Sequence, residues 1–357
     1  MQTTGGHERG QRKPLVGRIG YGNPKYFDRE KLSIGSVSNF REGVRMSQKK
    51  IPVIVILGPT GIGKSDLGIG LAELIGGEII SGDSMQVYRG MDIGTGKVSP
   101  SEQEQVAHHL IDIKNPDEEY SVADFCVQAD QLIRQITERG RVPIIVGGTG
   151  LYLQALIEGY EFSSVPENKE FRSQLEKRAL DNSRELYEEL RKKDPEIAKE
   201  IEPENVRRVI RALENIESGQ TLSRKKAEDY PYDHWIIGLT GPREFMYDRI
   251  NQRVDGMIQA GWVEECEELM RKSSAFSKNA LQAIGYKEIV ECIKNNHIID
   301  STIIEKIKQR TRNFAKRQVT WFKRMDYIQW VEVNQTTERI KILKELVFYW
   351  ENTYKKR

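Results

Sequence analysis

The chain has 357 residues, enough for one large domain or two ordinary ones at roughly 150 residues per domain. Hydrophobic residues make up 38% and charged residues 30% of the chain, which is typical of a soluble globular protein with a buried core. No apolar run reaches the roughly 18 residues that a membrane-spanning helix needs. The first residues also lack the apolar segment of a secretory signal.

The three cysteines, Cys126, Cys266 and Cys292, are widely separated. They form no CxxC pair, no zinc-ligand spacing and no plausible disulfide framework. This usage suits a reducing cytosol, so we expect a cytoplasmic protein that does not contact a membrane.

The net charge of +2 conceals a basic first segment. Residues 1–45 hold nine Lys and Arg, four Asp and Glu and eight of the 30 glycines, without apolar periodicity. We predict that this segment is disordered. It could be a basic arm for nucleic acid or a mitochondrial transit peptide. Alternatively, Met46 is the true start, because the first predicted strand begins only at Ile51.

The chain then alternates between strand and helix patterns. Strands are predicted over residues 51–57, 78–81, 109–113, 142–146, 235–239 and 327–333, and helices over 64–75 and 121–139. This alternation predicts an α/β fold with a parallel sheet flanked by helices. The α/β core would comprise residues 46–164 and 228–335, with a last helix within 336–357. Residues 165–227 are rich in Glu, Lys and Arg, contain no strand pattern, and predict an all-helical insertion broken near Pro195 and Pro203.

A glycine-rich motif directly follows the first strand and opens the first helix. It consists of Gly58, Pro59, Thr60, Gly61, Ile62, Gly63, Lys64 and Ser65, and it matches GxxxxGK[ST] at every fixed position. Backbone amides, the helix start and the lysine ammonium all favour bound phosphate. The serine hydroxyl can bind a Mg²⁺ ion that bridges phosphate oxygens. The motif predicts a diphosphate or triphosphate site in a P-loop NTPase-like fold.

The chain lacks the usual signals of an ATPase or GTPase. The strand over 142–146 ends in Gly147, Gly148 and Thr149 without an acidic residue, and no guanine-reading Asn-Lys-x-Asp motif is present. The acid at a strand end is Asp83, which follows the second strand and should lie beside the phosphate loop. Asp83 could bind magnesium, cap a helix, or take a proton from an acceptor.

Several motifs in chain order resemble the bacterial tRNA dimethylallyltransferases. They are the motif over 58–65, DSMQVYRGMDIGTGK over 83–97, GGTGLY over 147–152, PENVRRVIRALE over 203–214, RINQRVDGM over 249–257, AIGY over 283–286 and TRNFAKRQVTW over 311–321. The resemblance extends from about Ile51 to Trp330 and leaves out residues 1–45.

The resemblance implies that a dimethylallyl group is transferred from its diphosphate to N6 of adenosine 37, next to the tRNA anticodon. Residues 58–65 would hold the diphosphate, with Mg²⁺ at Ser65 as the cofactor. Lys64 would stabilise the leaving group, Asp83 would act as general base, Thr149 would lie at the transfer point, and Arg249 would add a cationic contact. An exposed helix with ion pairs is the alternative for the arginines at 249 and 253.

The resemblance also implies a tRNA-binding surface, because the acceptor base must leave its stack to react. The expected contacts to the anticodon stem-loop are Asp83, Ser84, Met85, Gln86, Thr149, Arg172, Arg207, Arg208, Val209, Ile210, Arg211 and Arg253. The basic stretch over 306–324 suits phosphate contacts. Within it, the seven-residue spacing of Phe314 and Trp321 favours core packing over base stacking. We expect a monomer.

Two other functions fit the same residues. A P-loop kinase for a nucleoside or small metabolite would use ATP, with Asp83 as base toward a hydroxyl and the insertion as a lid. A nucleotide-dependent RNA-binding module would use Asp83 only as a helix cap. His108 and His109 have no third ligand to support a metal role, so we interpret them as structural.

Overall fold

A computed structural model describes residues 50–160, 162, 168–219, 231–272 and 276–355. The strands are β1 (Ile51–Leu57), β2 (Gly77–Ser81), β3 (His108–His109), β4 (Val142–Gly147), β5 (Tyr232–Thr240) and β6 (Gln329–Glu332). The helices are α1 (Lys64–Ile75), α2 (Pro100–Gln105), α3 (Val122–Glu138), α4 (Gly150–Ile157), α5 (Lys169–Lys193), α6 (Pro195–Lys199), α7 (Val206–Glu217), α8 (Arg243–Gln259), α9 (Trp262–Lys272), α10 (Tyr286–Lys294), α11 (Ser301–Phe322) and α12 (Arg339–Thr353). The expectations for residues 1–45 lie outside the described residues.

The six strands form one parallel sheet in the order β3-β2-β4-β1-β5-β6. Side chains alternate between its two faces: Val53 and Val55 pack among α3, α4 and α9 to α11, whereas Ile54 and Ile56 pack among α1 and α12. Helices therefore cover both faces, and the predicted α/β fold with a parallel sheet is confirmed.

The strand predicted over 109–113 is wrong in its length, since β3 contains only two residues. Leu110 and Asp112 have φ angles of 61° and 55°, in the left-handed region, so the chain turns away from the sheet there. Lys97 fixes this turn, because its ammonium lies 2.6 Å from a carboxylate oxygen of Asp112.

Helices α5, α6 and α7 form the helical insertion between β4 and β5. Their apolar side chains, among them Leu186, Leu190 and Leu213, form a hydrophobic cluster separate from the two clusters on the sheet. Pro195 is the first residue of α6, with Asp194 as its N-cap. Within the described residues 168–219, the insertion consists of these three helices. Among the described residues, no helix combines the length and apolar character that crossing a bilayer requires.

Candidate active site

Three loops meet at one edge of the sheet because their strands are neighbours. In the pairing of β1 with β4, Leu57 lies opposite Gly147, and in that of β2 with β4, Ser81 lies opposite Val146. The carboxyl ends of parallel strands meet at the same edge, where open α/β sheets bind ligands. The glycine-rich loop, the Asp83 turn and the Thr149 turn therefore converge.

The glycine-rich loop is held closely against its neighbours. Gly58 has a φ of 148°, and a Cβ atom there would lie 2.5 Å from the carbonyl oxygen of Leu239. Gly63, with a φ of 100°, leads directly into α1. The loop thus requires glycine at both ends, as the motif predicted. Ile62 is buried in the core and contributes packing.

Lys64 is the charged group of this loop. Its ammonium donates to the carbonyl oxygen of Pro59 at 2.8 Å. Although part of the side chain still meets water, burial among the cavity walls lowers the pKa of Lys64 to about 8. The nearby guanidinium of Arg253 lowers this pKa further, whereas the carboxylate of Asp83 opposes the shift. All three charges therefore act on one site.

Asp83 and Thr149 lie on adjoining turns. Asp83 Oδ1 accepts a 2.8 Å hydrogen bond from the backbone N–H of Met85, and Thr149 Oγ1 accepts one of 3.0 Å from the N–H of Ser84. The next helix, α2, begins only at Pro100, so Asp83 caps no helix and the helix-cap alternative is wrong. Asp83 instead forms a local turn and remains half-buried.

The turns touch through their backbones. A Cβ atom on Gly147 would lie 2.4 Å from the carbonyl oxygen of Gly82 and 2.7 Å from its Cα. The N–H of Thr149 also donates to that oxygen at 3.4 Å. The turn of Asp83 and the turn of Thr149 are therefore in direct contact, and only glycine permits so close an approach.

These loops enclose a cavity of about 740 Å³. The predicted site residues that line it are Thr60, Gly61, Gly63, Lys64, Ser65, Asp83, Ser84, Met85, Gln86, Thr149, Arg249 and Arg253. A phosphate-type loop and a carboxylate thus line the same cavity, which is large enough for a small ligand.

Arg249 and Arg253 extend from α8 into the cavity. Arg249 Nε donates to the carbonyl oxygen of Gly61 at 2.7 Å, and Arg253 donates through one terminal nitrogen to that of Gly96 at 3.4 Å. Burial lowers the pKa of Arg253, while Asp83 opposes this effect. Both arginines therefore contact the loops around the cavity, and they do not merely form ion pairs on the exposed surface of α8.

Helix α9 contributes two residues, Trp262 and Glu265, that the sequence did not indicate, and Trp262 lines the cavity. Trp262 is buried between two glycines: a Cβ on Gly94 or on Gly285 would lie 2.0 Å from its ring. Glu265 accepts hydrogen bonds from the backbone N–H groups of Asp92 at 2.9 Å and Ile93 at 2.8 Å. These hydrogen bonds connect the loop over 92–96 to α9.

A second unforeseen residue is Gln318 on α11. It lies in the motif over 311–321, but the sequence of that motif does not indicate which residues the Gln318 side chain contacts. Its side chain contacts Thr60 and Gly148, which are 258 and 170 residues away in sequence.

The predicted tRNA contacts in the insertion do not line the cavity. Arg172 forms two hydrogen bonds to Glu214, of 2.8 Å and 2.6 Å, and Arg211 contacts the same carboxylate at 3.4 Å. Arg207 and Arg208 are exposed on α7.

The side chains of Val209 and Ile210 are buried in the core of the insertion. Direct side-chain contacts from these two residues to RNA are therefore a wrong expectation, because the period of α7 turns its apolar side inward.

The preference for core packing of Phe314 and Trp321 is also wrong. Phe314 lines the cavity, and Trp321 is 37% exposed, with its indole N–H donating to Gln154 at 3.1 Å. A Cβ on Gly150 would lie 2.7 Å from the Trp321 ring, so this ring covers the start of α4 beside Thr149.

Part of the basic stretch over 306–324 is engaged within the protein. Lys308 pairs with Asp255 at 2.8 Å, and Arg310 pairs with Glu288.

The two histidines of β3 have partners within the protein. His109 Nε2 lies 2.7 Å from Glu78 Oε2, and His108 Nδ1 lies 2.7 Å from the carbonyl oxygen of Val106. In the described ranges, no three His, Cys, Asp or Glu side chains are grouped to hold a metal ion.

A sequence model of the family described as IPP transferase matches residues 86–325. The chain belongs to the IPP transferase family. The resemblance found in the motifs is confirmed, since the matched region includes most of the motif over 83–97 and all of the later motifs, up to the one over 311–321.

Curated relatives in the family match most of the chain. A tRNA dimethylallyltransferase of Anoxybacillus flavithermus is 45% identical over 306 residues, which is 85% of this chain and 97% of the relative. One of Exiguobacterium sp. is 48% identical over 288 residues, or 80% of this chain and 92% of the relative.

Solved structures agree with the family assignment. The tRNA isopentenylpyrophosphate transferase of Bacillus halodurans is 40% identical, with a TM-score of 0.63, and the alignment covers 86% of this chain and 99% of that one. A eukaryotic dimethylallyltransferase acting on tRNA is 31% identical, with a TM-score of 0.65 and coverage of 86% and 77%.

Proposed function

We propose that this protein transfers the dimethylallyl group of dimethylallyl diphosphate to N6 of adenosine 37 in tRNA, giving N6-(dimethylallyl)adenosine and diphosphate. The observation that carries the proposal is that Lys64 of the phosphate loop and Asp83 line one cavity. A cation for a leaving diphosphate and a base for an amine are the two groups that this reaction needs. The names of the relatives support the same substrates.

The diphosphate end of the donor lies, in this proposal, against the glycine-rich loop. Lys64, Arg249 and Arg253 place three positive side chains around this part of the cavity. Charge builds on the diphosphate oxygens as the bond between the allylic carbon and oxygen breaks. These cations stabilise that charge more strongly in a cavity than in water.

Mg²⁺ fits this site as a cofactor because Ser65 and Asp83, whose side chains carry oxygen atoms, both line the cavity. When bound, the ion supplies positive charge to the diphosphate oxygens. Ser65 is the residue that we propose as its protein ligand, from its place in the motif.

Asp83 is the proposed general base. The amine nitrogen forms a bond to the allylic carbon, the diphosphate leaves with the electron pair of the broken bond, and Asp83 accepts the proton lost from nitrogen. Thr149 lies on the adjoining turn. We propose that Gln86 contacts the adenine. Its side-chain amide is oriented by Ser81 at 3.0 Å and by the carbonyl oxygen of Gly96 at 3.4 Å.

The tRNA is the proposed macromolecular partner, bound through its anticodon stem-loop. Arg207 and Arg208 are exposed and suit phosphate contacts. Ser84 and Met85 line the cavity beside Asp83 and suit contacts to the extruded nucleotide. We further propose that the protein acts as a monomer in the cytoplasm.

The test uses purified protein, Mg²⁺ and unmodified tRNA, with dimethylallyl diphosphate and ATP supplied in separate reactions. Nucleosides are then identified by mass spectrometry. We expect dimethylallyladenosine only with the allylic donor, and none from the same tRNA with guanosine at position 37. ATP consumption with a small acceptor, and no adduct, would favour the kinase alternative.

A further inference from the structure

One buried amide connects the phosphate loop to the turn that carries Thr149. Gln318 lies on α11 and is only 6% exposed. Its Oε1 accepts a 2.9 Å hydrogen bond from the backbone N–H of Thr60, and its Nε2 donates one of 2.8 Å to the carbonyl oxygen of Gly148. Both ends of the side chain are therefore engaged, each with a different loop.

The two partners require a residue that is donor and acceptor at once. A backbone N–H must meet an acceptor and a carbonyl oxygen must meet a donor, and a glutamine amide offers one of each. The fit is also close, because a Cβ on Gly148 would lie 2.5 Å from Nε2 of Gln318. Glycine at 148 and glutamine at 318 thus depend on each other.

The connection continues from Gly148 to Asp83. Thr149 is the next residue, and its Oγ1 accepts the backbone N–H of Ser84 at 3.0 Å. Asp83 precedes Ser84 and is itself fixed by its 2.8 Å bond to the N–H of Met85. Hydrogen bonds, joined by short stretches of backbone, therefore connect the loop of Lys64 through Gln318 to the turn of Asp83.

We propose that Gln318 is a positioning residue for the transfer reaction. It sets the distance between the loop that holds the diphosphate and the turns that hold the acceptor, and so aligns the allylic carbon with the attacking nitrogen. This inference rests on the proposed function. It predicts that loss of either hydrogen bond slows the transfer step while diphosphate binding is retained, because Lys64, Arg249 and Arg253 stay in place.

Gln318→Glu tests the donor alone. A protonated carboxyl group can reproduce both bonds, since its carbonyl oxygen accepts from Thr60 and its O–H donates to Gly148. The carboxylate cannot donate, and it repels the Gly148 oxygen. Burial raises the pKa of a carboxyl group, whereas the cations Lys64, Arg249 and Arg253 that line the same cavity lower it, so the pH profile of the variant shows where it ionises. We expect its single-turnover rate to approach that of the wild type where the carboxyl group is protonated and to fall by up to about 10²-fold where it is ionised.

Two variants complete the comparison. Gln318→Met removes both bonds at similar volume and should slow the transfer equally at every pH. Gln135→Glu makes the same chemical change on the exposed side of α3 and should match the wild type throughout. For each protein, the measurements are the single-turnover rate of dimethylallyladenosine formation relative to wild type, the Kd for inorganic pyrophosphate with Mg²⁺, and the melting temperature.

The outcomes distinguish a failure of the role proposed for Gln318 from a failure of the proposed function. If the wild-type protein forms no dimethylallyladenosine, the proposed function fails. If the wild type is active and folded Gln318→Met transfers at the wild-type rate, the inference is overturned and the function stands. The inference also fails if both variants lose pyrophosphate affinity as much as rate.

Discussion

The ammonium of Lys64 donates its 2.8 Å hydrogen bond to the carbonyl oxygen of Pro59, five residues earlier in the same loop. The lysine thus folds back on the loop while burial lowers its pKa to about 8. A lowered pKa means that burial destabilises the ammonium form of Lys64 relative to its form in water. A bound diphosphate stabilises the ammonium, so burial and ligand binding have opposite effects on this pKa.

We expect pyrophosphate affinity to depend on this proton. Below pH ~8 Lys64 is already charged, whereas above it binding must take up a proton. The Kd for pyrophosphate should therefore rise as the pH increases through about 8. Calorimetry in two buffers of different ionisation enthalpy should show proton uptake.

Two variants test this assignment to Lys64. Asp83 raises the pKa of Lys64, so Asp83→Asn should move the midpoint to lower pH. Lys64→Met should remove the pH dependence together with most of the affinity. An unchanged midpoint in both variants would assign the effect to another group.

Asp83→Asn should also slow transfer by about 10²–10⁴-fold, the usual contribution of a general base. The asparagine Oδ1 can still accept the N–H of Met85, so the turn should persist. Single-turnover formation of dimethylallyladenosine and tRNA affinity are the two measurements. Loss of rate with retained tRNA binding is expected. Near-normal turnover would leave Asp83 with only a structural role.

The sequence located the phosphate loop and both turns because each depends on local residues at the end of a buried strand. Parallel strand order then brings those ends together, so Lys64, Asp83 and Thr149 were predictable as a group. Gln318 was not, since its two bonds join residues far apart in the chain. Helical spacing also could not show that Trp321 is 37% exposed rather than buried.

Substitution of Arg172 should lower the stability of the protein, whereas substitution of other arginines in the insertion should weaken tRNA binding. Arg172 is paired with Glu214, which is only 3% exposed, so Arg172→Ala leaves a buried charge with Arg211 as its remaining contact. We expect a loss of about 3 kcal/mol in the free energy of unfolding, the low end for a broken buried pair. Chemical denaturation would measure it.

Arg207→Ala and Arg208→Ala are the matched changes at exposed positions of α7. They should leave stability unchanged and weaken tRNA binding. Each should reduce the slope of log Kd against log salt concentration by roughly 0.7–0.9 per lost phosphate contact. If Arg172→Ala alone weakens binding at full stability, then Arg172 itself contacts the tRNA.

Glu265 should control the mobility of the loop over 92–96. Its carboxylate accepts backbone N–H groups of Asp92 and Ile93, and it also accepts the Tyr286 hydroxyl at 2.5 Å. Glu265→Ala should therefore speed amide hydrogen exchange at residues 92 and 93. The exposed neighbour Glu264→Ala is the control. Equal exchange in the two variants would contradict this role for Glu265.

The contact between Gly82 and Gly147 limits how the cavity can be altered. Where backbone meets backbone, no side chain can be trimmed, so the spacing between Asp83 and Thr149 is set by the sheet itself. Trp262, which lines the cavity from α9, has a large ring that can be replaced by a smaller side chain. An engineered enzyme for bulkier allylic donors would therefore gain its space at α9, and the reacting edge would remain unchanged.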